Sequence, residues 1–174
     1  LSDKEGWGYP RYYTTIQFAD IDGDGVAELV ARGAKGIRAW KYDRHWWKEL
    51  NYNSELSDHA GWKEPRYYTT IQFADIDGDG AAELVARGVN GIFAWKYNGD
   101  SWKAMARGPE LSDVLGWDKP AYYTTIQFAD INSDGQCELI ARCEKTIAAY
   151  HYNKKLGIWE KNPYDPKISD LISW

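Results

Sequence analysis

The stretch FADIDGDGVAELVARG, at residues 18–33, places four carboxylates within nine residues and then runs into an apolar segment. Like charges this close repel one another unless a cation lies between them. Gly23 and Gly25 allow the backbone to fold tightly around that position. The carboxylates are those of Asp20, Asp22, Asp24 and Glu28. The stretch therefore predicts a loop that holds a cation.

The same stretch recurs as FADIDGDGAAELVARG from Phe73 and as FADINSDGQCELIARC from Phe128, so the chain repeats with a period of 55 residues. Each repeat begins with an opening motif, LSDKEGW, LSDHAGW or LSDVLGW. The predicted repeats span residues 1–55, 56–110 and 111–167. The segment ISDLISW, at residues 168–174, is predicted to be the start of a fourth repeat or a closing strand.

Four segments of each repeat are typical of β-strands. In the first repeat they are YYTTIQFA, ELVAR, GIRAWKY and WWKEL, which are rich in aromatic and β-branched residues. Glycines and acidic loops separate them, and no stretch has a sustained helical period. We therefore predict an all-β chain of three four-stranded repeats that form β-propeller blades. A β-trefoil and a β-prism are the alternatives with three four-stranded units.

The composition argues for a folded domain and against two classes of partner. A hydrophobic content of 44% excludes a disordered polymer, and no apolar run approaches the roughly 18 residues of a membrane span. Eleven of the 26 acidic residues lie in the three acidic loops, so one divalent cation per loop would change the net charge from -5 to about +1. This balance argues against a nucleic-acid partner. Cys137 and Cys143 lie about 20 Å apart on an extended strand, too far for a disulfide.

The spacing within the acidic loops favours calcium. Counting from the first aspartate, oxygen ligands fall at positions 1, 3, 5, 7 and 9, where position 7 contributes its main-chain carbonyl. This set suits Ca²⁺ better than Mg²⁺, which keeps more water, and zinc prefers His or Cys. We expect about three Ca²⁺ ions per chain. The predicted ligands are Asp20, Asp22, Asp24, Val26 and Glu28; Asp75, Asp77, Asp79, Ala81 and Glu83; Asp130, Asn132, Asp134, Gln136 and Glu138.

The sequence FADIDGDG followed by AELVARG resembles the FG-GAP or VCBS repeat family, which includes the integrin α-subunit propeller and propeller lectins of fungi and bacteria. The resemblance covers all three repeats and implies a calcium loop between two strands of each blade. An EF-hand is a poor match because its position 12 is an alanine here and the flanks are strands. Two features depart from the family pattern: glutamate stands at position 9, and the third loop has Asn132 in place of an aspartate.

The aromatic content indicates a binding surface, whereas no enzyme active site is predicted. No histidine recurs beside a nucleophile in the repeats. Ten tryptophans and 13 tyrosines exceed what a sheet core needs, and rings near loops can stack on sugars or pack between blades. A repeated arginine either lines a pocket between blades or pairs with a neighbouring carboxylate or carbonyl. The candidate ligand-binding residues are Trp7, Tyr12, Arg32, Trp62, Tyr67, Arg87, Trp117, Tyr122 and Arg142.

We therefore expect a calcium-stabilised, lectin-like carbohydrate-binding module without catalysis, secreted or extracellular. Near-identical repeats suit one reused glycan pocket per unit. The alternatives are a propeller that recognises proteins in adhesion, and a non-catalytic repeat domain of a larger secreted enzyme or toxin. Because closed propellers have about four to eight blades, a second copy of the chain that completes a six-bladed ring is a further expected partner.

Overall fold

The computed structural model describes residues 1–162, which form three antiparallel sheets of four strands, one in each repeat. Within each sheet the strands lie side by side in chain order. The strands are β1 (Gln17–Ala19), β2 (Glu28–Gly33), β3 (Gly36–Tyr42), β4 (Trp47–Glu49), β5 (Gln72–Ala74), β6 (Glu83–Gly88), β7 (Gly91–Tyr97), β8 (Trp102–Gly108), β9 (Gln127–Ala129), β10 (Glu138–Arg142), β11 (Ile147–Asn153) and β12 (Ile158–Lys161). The prediction of three propeller-like blades is confirmed. The predicted fourth repeat or closing strand, residues 168–174, lies outside the described residues.

The segment YYTTIQFA is only partly a strand. Its first residues belong to a short helix, α1 (Pro10–Tyr13), and β1 begins at Gln17. Proline is favoured in the first helical turn because its missing N–H would have no partner there, and the Thr14 hydroxyl donates to the Pro10 carbonyl at 2.6 Å. The equivalent helices are α2 (Pro65–Tyr68) and α3 (Pro120–Tyr123), and short 3₁₀ helices span Asp3–Glu5, Ser54–Leu56 and Asp113–Leu115. None of the helices in residues 1–162 is long and apolar enough to cross a membrane.

The tight hairpin between β2 and β3 depends on a glycine. Gly36 pairs with Gly33 and has a φ of 125°, in the region that favours glycine. A Cβ atom at Gly36 would lie 1.9 Å from the Asn53 carbonyl oxygen, so no side chain fits. Gly91 repeats this arrangement in the second blade, where a Cβ would lie 2.0 Å from the Gly108 carbonyl oxygen. The hairpins are thereby held against the end of their own blade.

The two larger hydrophobic cores lie between successive blades. The first joins residues of the first and second repeats, and the second joins residues of the second and third. The first core includes Ile21, Val30 and Ile37 with Trp62, Leu84 and Trp95; the second includes Ile76, Val85 and Ile92 with Trp117, Leu139 and Trp159. Each blade is therefore stabilised mainly by burial of apolar surface against its neighbour.

Hydrogen bonds between blades follow the same repeat. The Gln17 side-chain amide donates to the Ile71 carbonyl at 2.8 Å. Its equivalent one repeat later, Gln72, donates to the Ile126 carbonyl at 2.6 Å. The acidic loops are also joined, since the Ala82 N–H donates to the Asp20 carbonyl at 2.7 Å. The contact between the second and third blades thus repeats the contact between the first and second.

Candidate metal loops and repeated pockets

The first aspartate of each acidic loop shapes the backbone around it. The Asp20 carboxylate accepts hydrogen bonds from the N–H groups of Gly23 and Gly25, both at 2.7 Å. In the second loop, Asp75 accepts from Gly78 at 2.7 Å and from Gly80 at 2.8 Å. These four glycines have positive φ values, which explains why the sequence has glycine there.

Three carboxylates converge in each of the first two loops. Single oxygens of Asp20, Asp22 and Glu28 lie within 4.8 Å of one another, as do those of Asp75, Asp77 and Glu83. The glutamate is fully buried in both loops. Burial raises the pKa of the Glu28 carboxyl, and it raises the pKa of Glu83 to about 7. Two acidic clusters therefore have the composition and spacing to hold a metal ion.

Sequence reasoning missed a lysine that enters each of these clusters from the third strand of the blade. Lys41 Nζ lies 2.5 Å from Asp22 Oδ2 and 2.6 Å from Asp24 Oδ2. Burial alone would lower the pKa of Lys41, but its bonds to these carboxylates outweigh that effect and raise it. In the second blade the contacts of Lys96 Nζ are with Asp77 at 2.8 Å, Asp79 at 2.6 Å and Glu83 Oε1 at 3.0 Å. The sequence contained a signal for these lysines, because both lie in the repeated sequence AWKY.

Some oxygens in these loops remain without a hydrogen-bond partner despite the lysines. Three buried oxygens accept no hydrogen bond from the described residues, namely Asp22 Oδ1, Glu28 Oε1 and Asp77 Oδ1, whereas Glu83 Oε1 lies 3.0 Å from Lys96 Nζ. A buried acceptor without a partner carries a desolvation penalty of about 1–3 kcal/mol, more when it is charged. A divalent cation with a preference for oxygen would satisfy these atoms. The residues of the first two loops therefore fit a Ca²⁺ ion.

The third loop is satisfied differently. The Asn132 side-chain amide donates to Asp134 Oδ2 and to Glu138 Oε1, both at 3.0 Å. At the position of the two lysines the third repeat has His151, which instead contacts Asn162 at 2.7 Å and Glu160 at 3.1 Å. An amide of the loop itself thus occupies the place that an ammonium takes in the other two loops.

The repeated arginine connects the first and second blades to the opening motif of the next repeat. Arg32 is fully buried, and its Nε donates to the Leu56 carbonyl at 2.8 Å while its Nη2 pairs with Asp58. Asp58 also accepts from the Tyr12 hydroxyl at 2.6 Å. The same contacts recur for Arg87 with Leu111, Asp113 and Tyr67. Arg142 is exposed, and its guanidinium lies 5.8 Å from the centre of the Tyr122 ring.

Three pockets lie at equivalent places in the three repeats, with volumes of about 570, 390 and 330 Å³. Each is lined by a tryptophan and a tyrosine in edge-to-face contact, with ring centres 5.9–6.1 Å apart. The pairs are Trp7 with Tyr12, Trp62 with Tyr67, and Trp117 with Tyr122. Most of these rings are buried, so they form the base of each pocket. The structure therefore brings together the predicted aromatic residues, whereas Arg32 and Arg87 lie behind them.

The rims of the pockets differ from one another. In the first, the Arg38 guanidinium lies 4.8 Å from the Trp40 ring centre and pairs with Glu49 at 2.6 Å. In the second, Phe93 and Trp95 stack with ring centres 5.8 Å apart. The third is lined by several charged side chains, namely Lys119, Glu144, Lys145 and Lys161. Sequence reasoning missed these rim residues because they vary between the repeats.

The chain matches a repeat family in sequence and solved structures in fold. Residues 75–141, from the second acidic loop to the strand after the third, match the FG-GAP-like repeat family. A lectin from Agrocybe aegerita, solved for its specific recognition of non-reducing terminal N-acetylglucosamine, has a similar structure with a TM-score of 0.73 and 21% identity. The match covers 88% of this chain and 38% of the lectin. The predicted resemblance to FG-GAP repeats and propeller lectins is confirmed.

A second solved structure shares the fold at greater distance. It is the Tc holotoxin pore of Photorhabdus luminescens, with a TM-score of 0.54 and 19% identity over 94% of this chain and 7% of that one. The chain thus spans much less than two thirds of either protein. Comparison with curated protein sequences found no match.

Proposed function

We propose that this chain, a propeller-like array that carries the FG-GAP-like repeat, is a lectin-like module that binds glycans and has no catalytic activity of its own. The observation that carries the proposal is the recurrence of one pocket in each repeat, with a Trp–Tyr pair at its base. Glycan sites combine an aromatic platform with a few polar groups. Charged side chains are among the residues that line all three pockets and supply those polar groups, and the fold shared with a glycan-specific lectin supports the same conclusion.

The proposed glycan affinity is weak at each pocket and increases through repetition. The pockets hold about 330–570 Å³, which suits one or two sugar units rather than an extended chain. Rigidly spaced pockets gain avidity when the target displays many copies of its glycan. A secreted or extracellular location is proposed on the same grounds, because dense glycans are found on cell surfaces.

Calcium is proposed as a structural ion of the first two loops. Glu28 Oε1 in the first loop and Asp77 Oδ1 in the second are buried and accept no hydrogen bond from the described residues, and calcium would satisfy both. The ion would hold each loop against the neighbouring blade, where the Ala82 N–H bonds to the Asp20 carbonyl. Calcium at the third loop stays a prediction.

The substitution Tyr9→Ala tests the first pocket. Tyr9 lines this pocket, is 56% exposed and makes edge-to-face contact with Tyr12, so its removal takes away stacking surface with little effect on the core. An aromatic contact contributes about 0.5–1.5 kcal/mol, so binding at this pocket should weaken up to about tenfold. The measurement is titration calorimetry with a glycan first selected on an array.

Tyr13→Ala is the matched control for this prediction. Tyr13 is the last residue of the short helix that Tyr9 precedes and is 50% exposed, but it is not among the residues that line the first pocket. The control should bind as the unaltered chain does. Equal loss in both variants, or binding to a protein ligand while every glycan on the array fails, would contradict the proposal; the second result favours the adhesion alternative.

We also propose that a blade of a second copy covers the outer face of the first blade. Phe73 and Phe128 each pack into the core shared with the preceding blade, whereas the equivalent Phe18 is 65% exposed. On the third blade Gln127 is exposed, although its equivalents donate to the following blade. The two outer faces are thus complementary in the way that the internal faces are, and two chains would supply six blades.

The expected mass in solution is twice the 20.0 kDa of the chain, measured by light scattering with size exclusion. Phe18→Asp should return the mass to that of one chain, because a carboxylate would be buried at the new interface. Trp46→Asp is the control, since this side chain is 63% exposed in the turn between β3 and β4. A single-chain mass for the unaltered protein would refute the proposal.

A further inference from the structure

We propose that Lys41 and Lys96 are internal cations that neutralise the first two acidic loops when no metal is bound, and that they compete with a metal for the same carboxylates. The competition rests on the proposed calcium site, whereas the neutralising role rests on the ion pairs alone. The consequence is a pair of loops that keep their fold in either state and bind calcium more weakly than their carboxylates alone would.

The geometry of the ammonium groups carries the first step. Lys96 Nζ lies within 3.0 Å of three carboxylates, those of Asp77, Asp79 and Glu83. Lys41 Nζ lies within 2.6 Å of Asp22 and Asp24, and 3.6 Å from Glu28. Each ammonium group is therefore directed at the carboxylates on which a metal would depend. A surface lysine usually pairs with one neighbouring carboxylate, whereas each of these ammonium groups contacts two or three.

Competition follows from the charges. Ca²⁺ and an ammonium group that share two or three carboxylates would lie within a few ångströms of each other and repel strongly. The side chains of Lys41 and Lys96 retain 31% and 25% exposure, so each has a route to solvent. Metal binding therefore requires that the lysine leave the cluster, and the free energy of its ion pairs is lost from the binding free energy.

The third repeat supplies an independent observation within the same chain. There the aspartate of position 3 is replaced by Asn132, and the lysine is replaced by His151. The two changes occur together: the loop that has lost a carboxylate has also lost its ammonium group, and the Asn132 amide donates to the remaining carboxylates instead. This pairing is expected if the lysine serves to balance the charge of the loop.

The test compares two double variants of the full chain. Lys41→Met with Lys96→Met removes both internal cations while it keeps the length of the side chains. Lys48→Met with Lys103→Met is the control, because Lys48 and Lys103 are exposed cross-strand partners of the same lysines and the change in net charge is equal. Calcium affinity is measured by titration calorimetry, and the melting temperature is measured in excess chelator.

The first double variant should bind calcium at least tenfold more tightly than the control, and it should melt at a lower temperature in chelator. Equal calcium affinity in the two double variants would overturn the competition. If no variant binds calcium, the proposed calcium site fails. The neutralising role of the lysines is then decided by the melting temperatures in chelator alone, and equal melting temperatures in the two double variants overturn that role. If the first double variant does not fold in chelator, which supports that role, the single variant Lys41→Gln provides the affinity comparison.

Discussion

Replacing Arg32 with methionine is expected to lower the free energy of unfolding by about 3 kcal/mol, because it removes the fully buried member of a partly buried ion pair. Arg32 is fully buried, and its guanidinium is paired with Asp58 and the Leu56 carbonyl. Without it, the Asp58 carboxylate keeps, among residues 1–162, only the Tyr12 hydroxyl and the more distant Arg11 as partners. For a chain of this length the loss corresponds to a fall of about 6–12 °C in melting temperature. The melting temperatures of the two proteins are measured by calorimetry.

Arg107→Met is the control for this prediction. Arg107 also pairs with a carboxylate, that of Glu55 at 2.8 Å, but both side chains are largely exposed, and such pairs contribute about 0–1 kcal/mol. A loss as small as that of the control would contradict a structural role for Arg32 and would restore the alternative in which the repeated arginine serves ligand binding.

Acid should reduce the contribution of this pair. Burial by itself raises the pKa of Asp58, but the Tyr12 hydroxyl and the Arg32 guanidinium outweigh it and hold the pKa below the usual 3.8. Because the pKa of Asp58 is lower in the folded state than in the unfolded state, the ionised carboxylate stabilises the fold at a pH above 3.8. This stabilisation is lost as the pH falls through the lowered pKa. The difference in stability between the unaltered chain and Arg32→Met should therefore shrink below about pH 4.

Calcium is expected to have the second large effect. Free Ca²⁺ at 100 times its dissociation constant raises the free energy of unfolding by about 2.7 kcal/mol for each loop that binds it. Asp77→Asn should reduce the contribution of the second loop, because it replaces a converging carboxylate with a neutral amide, as Asn132 does in the third loop. The measurement is the melting temperature with calcium and with chelator.

Asp43→Asn serves as the control for the loss of charge. Asp43 lies outside the acidic loops, and its carboxylate accepts the N–H groups of His45 and Trp46, which an asparagine oxygen can also accept. This variant should keep the full calcium shift. A melting temperature that is the same with calcium and with chelator in the unaltered chain would exclude calcium as a structural ion.

The sequence predicted the blades because their signals are local and repeated. Three copies of one stretch define the period, and the strand segments between glycines are apolar or alternate in polarity. The error at YYTTIQFA has a local cause as well: its aromatic and β-branched residues favour a strand, but the preceding proline begins a helical turn at Pro10. The convergence of Asp20, Asp22 and Glu28 was also predictable from their spacing.

The roles of the repeated cations could not be derived from spacing alone. The contacts of Arg32 join residues 24 and 26 positions apart and cross from one repeat to the next, so only the packing of two blades defines them. Lys41 meets Asp22 because β3 pairs with β2 in a particular register, and that register was not predicted. The recurrence of both residues every 55 positions was visible, but recurrence does not say which neighbour a side chain meets.

The pairing of Arg32 with Asp58 means that the structural unit does not coincide with the sequence repeat. The structural unit extends into the opening motif of the next repeat. The first and second sheets are each completed by the opening motif of the repeat that follows, as Arg87 with Asp113 shows again. Tandem duplication of this sequence would therefore create a complete interface at every new junction without any further mutation. Gene duplication could lengthen such an array one blade at a time, while an isolated repeat would lack the residues that complete it.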